Sequence, residues 1–450
     1  MGVLPKTILD TFTIAHRLDL KYIWIDRLCI LQDSREDWSR EASRMALIYK
    51  YAFLTISASC AAHENQGCFR KRNVAGIQPL QLISNPLLPS VAWCHGNASC
   101  ISSGEPEENQ KLGGKLGHLA DRGWVFQERI LSHRIVHFAE EEVYWECREL
   151  EASEAWPDGD PLKSPRRPPL LYDSGNEHRV KYSAWHKVVQ DYSARVFTHD
   201  GDKLPALSGL ARETAELRKD VSEEYLAGLW RSTALIDLCW RHFPGRLRVP
   251  EQYLAPSWSW ASLSGNIDYG MGGQGVRYRP AATFKDARFR FATADPYGAV
   301  LDGWIHLFGH LKPVTVVQSG LPDHVRRKMP WEVRVHGTNG QCLPFDDGFL
   351  GTLDIETFAP GEKESVAMFC LPVLKNQQLD PEEYCPDFHC LLLVENGSIK
   401  HRTSSVALPS PKVWHEEEYQ RAGLATITVS NWVAFQEWLD ESPQRDVIIR

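Results

Sequence analysis

The run Tyr22-Ile23-Trp24-Ile25-Asp26-Arg27-Leu28-Cys29-Ile30 is apolar everywhere except at one charged pair. Such a stretch predicts a strand buried on both faces, as the strands of parallel sheets are. Helical patterns flank it. Upstream, Pro5 suits a first helical turn, and Ile8, Phe12 and Ala15 recur at spacings of four and three, predicting a helix that ends near Leu18. Downstream, Ser34 and Asp37 predict a capping box opening a helix whose Trp38, Ala42, Met45 and Tyr49 share one face. Residues 53–56 read as the next strand. This alternation predicts an α/β fold built on a parallel sheet flanked by helices. It also places Asp26 at a strand's carboxyl end, where open sheets bind ligands.

Further along, a polar, Gly-rich stretch around 95–118 precedes a short predicted helix over 124–131 and two strands over 135–138 and 143–147. Glu140 to Glu142, at the turn between them, read as a solvated tip. Residues 1–150 therefore form a first domain. Residues 151–175, with Pro165-Arg166-Arg167-Pro168-Pro169, read as a linker or surface loop. Residues 176–265 read as a helical segment, and 266–450, with short apolar runs between Gly, Pro and Asp turns, as a β-rich C-terminal domain.

Composition narrows the class. A net charge of −8 offers no basic footprint for nucleic acid. No stretch approaches the ~18 consecutive apolar residues of a membrane span, and the first residues lack the pattern of a secretory signal, which predicts a cytoplasmic protein. Lys6 stands where a myristoylation motif needs Ser or Thr. The 11 cysteines include no Cys-x-x-Cys pair and read as reduced thiols, with Cys29 an inert one inside the buried strand and Cys94-His95 and Cys100 in a loop without zinc spacing. His133 and His137 fall on turn and strand, where a spacing of four gives a same-face pair and not a metal site. Trp24, Trp38 and Trp258 read as core.

Two blocks resemble a known family. Leu4-Pro5-Lys6-Thr7 followed by residues 22–33, Asp37-Trp38, Met45 and Ile48-Tyr49 resembles the signature of the fungal heterokaryon incompatibility (HET) domain. Arg122-Gly123-Trp124-Val125-Phe126-Gln127-Glu128-Arg129-Ile130-Leu131-Ser132, trailed by Tyr144-Trp145-Glu146-Cys147, resembles its second hallmark. Residues 202–211 and 255–262 resemble segments that follow the domain. Two departures stand out: the family's opening strand motif, which precedes the Leu-Pro-Lys-Thr block, is not in this sequence, and Arg27 replaces the usual Ser.

The resemblance implies an effector of self/non-self recognition and cell death that works through protein partners or self-association. HET domains are remotely similar to Toll/interleukin-1 receptor (TIR) domains, some of which cleave NAD with the glutamate of a Trp-x-x-x-Glu helix. Trp124 and Glu128 reproduce that spacing, which puts an indole and a carboxylate on one helical face. On that reading Glu128 is catalytic, Asp26, Arg27 and Trp124 bind substrate, NAD is a substrate, and no cofactor or metal is needed. A carboxylate suits the task because loss of nicotinamide develops oxocarbenium character on the ribose. Two other readings stay open: a non-catalytic interaction module, toward which Arg27 and the absent strand motif point, and an inactive, truncated paralogue.

Overall fold

The computed structural model describes residues 4–72, 80–82, 92–94, 117–159, 180–218, 223–242, 248, 250–269, 277–318, 331–335, 350–353, 365–377, 387–396, 398, 418–428 and 432–450. The chain divides into two compact units, Met1–Gly175 and Asn176–Arg450. The loop with His95 and Cys100 and the stretch 160–175 lie outside the described residues.

In the first unit, helix α1 (Lys6–Arg17) opens after Pro5 and buries Ile8, Ile14 and Ala15. Helix α3 (Arg35–Tyr51) is capped as its sequence predicts, with the Ser34 hydroxyl accepting from the Asp37 N–H. Strand β1 (Thr55–Ser57) follows it. After a small hairpin, β2 (Leu80–Leu82) and β3 (Ala92–Cys94), come helix α4 (Gly123–Leu131) and strands β4 (Arg134–Phe138), β5 (Val143–Cys147) and β6 (Glu151–Ser153). The four-stranded sheet has the order β1-β4-β5-β6.

Three expectations are corrected. Residues 22–30 form no strand: 21–25 carry no turn, bend or ladder, and Asp26–Cys29 is a single helical turn, α2. An apolar run becomes a strand only where another strand lies beside it, and none pairs with this one among the described residues. The turn starts because the Ile25 carbonyl accepts from the N–H groups of Leu28 and Cys29, while the Asp26 carboxylate accepts from the Arg27 N–H at 2.7 Å. Cys29 is accordingly exposed, not buried. Second, the sheet is mixed. Only β1 and β4 run parallel, because the short connections after β4 and β5 permit hairpins and no crossover. Third, Glu142 is buried, accepting from the Ala155 N–H at 3.2 Å, so only Glu140 and Glu141 of the acidic run are solvated.

The second unit begins with helices Val180–Ser193 and Ser208–Arg218 around an indole-rich core. Trp185, Trp230, Trp240, Trp258 and Trp260 are fully buried. Trp185 and Trp260 both donate to the Gly228 carbonyl, at 2.9 and 3.0 Å, and Trp240 donates to the Trp258 carbonyl at 2.9 Å. Trp258 is thus core, as expected, whereas Trp24 is half-buried and Trp38 is 39% exposed. The β-rich remainder forms a ten-stranded sheet. Six of its strands pair in a closed circuit: Lys312–Gln318, Trp331–Val335, Leu350–Leu353, Glu418–Thr428, Asp387–Glu395 and Ser365–Gln377, the last pairing again with the first. Such a barrel leaves no edge among these strands. Val314, Val316, Met368, Leu392, Ile427 and their neighbours fill a core with Phe435, Trp438 and Leu439 of helix Trp432–Asp440. No helix among the described residues is long and apolar enough to cross a membrane.

Gly228 generates a testable expectation. It sits at φ +109° in the two-residue turn between strands Tyr225–Leu226 and Leu229–Trp230, and a Cβ there would meet the Trp260 Nε1 at 2.5 Å. Gly228→Ala combines a left-handed backbone with overpacking and is expected to cost about 2–4 kcal/mol. Urea unfolding of the full chain measures it.

Candidate functional site

The site forms where α3 meets α4. Trp38 near the start of α3 meets Trp124 edge-to-face, with ring centroids 5.9 Å apart. Toward the end of α3, the Tyr49 hydroxyl donates to the Glu128 carboxyl. The helical spacings put these groups together: Trp38, Ala42, Met45 and Tyr49 follow one face of α3, with Ala42 and Met45 buried, and Trp124 and Glu128 are four apart on α4. Trp24 adds its ring edge-to-face against Tyr49, with centroids 5.9 Å apart.

Glu128 is the electrostatic centre. Burial pushes its carboxyl up to about 7, Asp26 adds to the rise, and the Tyr49 hydroxyl and the Arg122 guanidinium oppose it. Burial, and then Glu128 itself, pushes the Tyr49 phenol well above its ordinary value. The charge of Asp26 is therefore felt at Glu128. A carboxyl poised near neutrality can take a proton or stabilise a nearby cation at cellular pH.

The other expected site residues part company. Asp26 is exposed at the start of α2, one carboxylate oxygen occupied by the Arg27 N–H. Arg27 points elsewhere and forms an ion pair with Glu64, both side chains about half exposed. Trp124 stands beside Trp38. Reading the sequence missed Tyr49 as a member of the site. The phenol was in view as part of an apolar helical face, and its polar end was the overlooked signal.

The neighbour of Glu128 has a different task. Arg129 bonds Glu146 of β5 through two parallel contacts of 2.7 and 2.5 Å, and His137 of β4 approaches the same carboxylate at 3.3 Å. Burial would raise Glu146, but His137 and Arg129 hold its carboxyl far below the ordinary range. Ser59, just past β1, reaches the other nitrogen of His137 at 3.5 Å, and Thr55 bonds Ser132 at 2.7 Å. This chain of polar contacts ties α4 to β1, β4 and β5. Among the described residues no group of three or more His, Cys, Asp or Glu side chains could hold a metal ion.

Residues 2–128 match the family model of heterokaryon incompatibility protein (HET). The match supports a heterokaryon incompatibility domain over that stretch, which contains Asp26, Tyr49, Trp124 and Glu128. No curated protein and no solved structure matches the chain. The HET match ends at Glu128, so Arg129, His137 and Glu146, which hold α4 in place, lie outside it.

Two expectations follow. A carboxyl whose folded value of about 7 lies above its ordinary 4.5 favours folding most fully below 4.5, and that contribution is lost as pH rises through about 7. Wild type is expected to lose up to about 3 kcal/mol relative to Glu128→Gln between pH 4 and 8. Denaturant titrations at both pH values check the sign. For the Arg129–Glu146 pair, Arg129→Met strands a buried carboxylate and is expected to cost about 3–5 kcal/mol, much of it recovered in Arg129→Met/Glu146→Leu. A double-mutant cycle reads it.

Proposed function

We propose that this chain is a heterokaryon incompatibility effector, and that the cluster around Glu128 is its functional centre, cleaving the nicotinamide–ribose bond of NAD as part of cell-death signalling. The observation that carries this reading is the environment of Glu128. Its carboxyl is desolvated, bonded to a phenol and within electrostatic reach of Asp26, while the strong arginine nearby is committed to Glu146.

The chemistry needs no metal. The C–N bond breaks with its electron pair leaving on nicotinamide, which departs neutral, and ionised Glu128 stabilises the ribosyl cation. Water then attacks that cation, and Glu128, poised near 7, accepts the water's proton. In this reading Asp26 bonds the ribose hydroxyls, and Trp124, with Trp38, supplies an aromatic wall.

Purified full-length protein incubated with NAD is expected to release nicotinamide, at a rate that rises with pH through about 7 as Glu128 ionises. Glu128→Gln abolishes release. Tyr49→Phe removes the bond that favours the ionised carboxyl, so the rising limb moves to higher pH. Absence of release from wild type, or release that Glu128→Gln leaves intact, overturns the reading.

A second reading, a non-catalytic interaction module, is favoured by a different observation. Among the described residues, large apolar side chains are exposed mainly in the HET region, including Leu9, Leu31, Tyr51 and Phe53. It expects death-inducing activity to survive Glu128→Gln in cells.

A further inference from the structure

Two carboxyls at one centre suit only half of a pyridine dinucleotide. NAD carries a cationic nicotinamide ring and an anionic diphosphate, and Glu128 and Asp26 attract the first and repel the second. A cation is needed across the ribose from Glu128. The arginines within α2 and α4 are already committed, Arg27 to Glu64 and Arg129 to Glu146. Arg122 is not. It is the N-cap residue of α4, its side chain is exposed, and it forms no ion pair with any described residue. Its charge nevertheless reaches both Glu128 and Tyr49.

We propose that Arg122 binds the diphosphate of the dinucleotide, making the site selective for a phosphate-bearing pyridine nucleotide over the corresponding nucleoside. This rests on the assignment of Glu128 as the NAD-cleaving carboxylate. Arg122 precedes Glu128 by six positions, roughly 9 Å along the helix axis at 1.5 Å per residue. Helical side chains lean toward the N-terminus, so Glu128 leans toward Arg122. The order along α4, cation then carboxylate, matches the order of diphosphate and glycosidic carbon along the substrate, with the ribose between them. A guanidinium suits the first position because its planar fork donates two parallel bonds to phosphate oxygens. One that served only to tune Glu128 would close on it as an ion pair, whereas Arg122 keeps its fork in solvent, open to a ligand.

ADP-ribose carries the diphosphate and lacks the scissile bond, so its binding to the full chain, followed by calorimetry, tests Arg122 without any cleavage. Wild type is expected to bind it. Arg122→Gln, at an exposed side chain, is expected to weaken binding about 10- to 100-fold with an unchanged circular dichroism spectrum, and Arg122→Lys, which keeps the charge and loses the fork, to fall between. Nicotinamide release supplies the second arm, measured above the pH range in which Glu128 ionises so that a change in its ionisation does not enter. There Arg122→Gln raises KM for NAD and narrows the preference for NAD over nicotinamide riboside by the same factor. ADP-ribose that binds wild type and Arg122→Gln equally, or binds neither, overturns the proposal, even where wild type cleaves NAD. Arg122-dependent binding without nicotinamide release upholds the diphosphate contact and overturns the cleavage reading instead.

Discussion

Everything distinctive about the first unit depends on how α4 is held against the sheet. Arg129 commits two of its donors to Glu146 on β5, and that carboxylate also meets His137 on β4. A bidentate pair of this kind fixes rotation as well as distance, because two parallel bonds cannot both survive a turn of the helix about its axis. With Arg129 fixed, Glu128 projects a full helical step away, toward α3. There it finds Tyr49 and, beyond it, the charge of Asp26. The raised carboxyl is therefore a product of helix placement. Its desolvation costs stability when it ionises, and sites that perform proton chemistry characteristically accept such a cost.

The two units solve the same problem of strand edges in opposite ways. In the C-terminal unit six strands pair in a closed circuit, and the side chains of helix Trp432–Asp440 join the core they enclose. Closure satisfies each of these strands on both sides, and the interior is packed apolar matter. The N-terminal sheet ends instead at β1, a strand of three residues with one described partner. The same unit holds a segment, 21–25, whose composition suits a central strand and whose backbone has no ladder. Exposed apolar side chains are tolerated singly and become a signal when they cluster.

Much of the local structure was legible in the residues. Ser34 and Asp37 announced the start of α3, the periodicity of Trp38, Ala42, Met45 and Tyr49 announced its face, and the runs 135–138 and 143–147 announced a strand pair. The spacing of Trp124 and Glu128 placed both on one helix, as it had to, since helical geometry depends only on nearby residues. The β-rich character of the C-terminal region was equally readable from its short apolar runs and turn residues.

What the sequence determined by itself were the features that a few neighbouring residues decide: helix starts, helix faces, hairpins and the Trp-x-x-x-Glu spacing. Tertiary structure decided the rest. Whether 22–30 is a strand depends on a neighbour that no local pattern encodes, and there the Ile25 carbonyl and the Asp26 carboxylate began a helical turn instead. Arg27 turned to Glu64, and Glu128 turned to Tyr49, across sequence separations that leave no periodic trace. The closure of the barrel likewise rests on strands far apart in the chain. Hydrogen-bonded turns are local in origin, whereas ladders, ion pairs and desolvated carboxyls exist only once distant segments have been brought together.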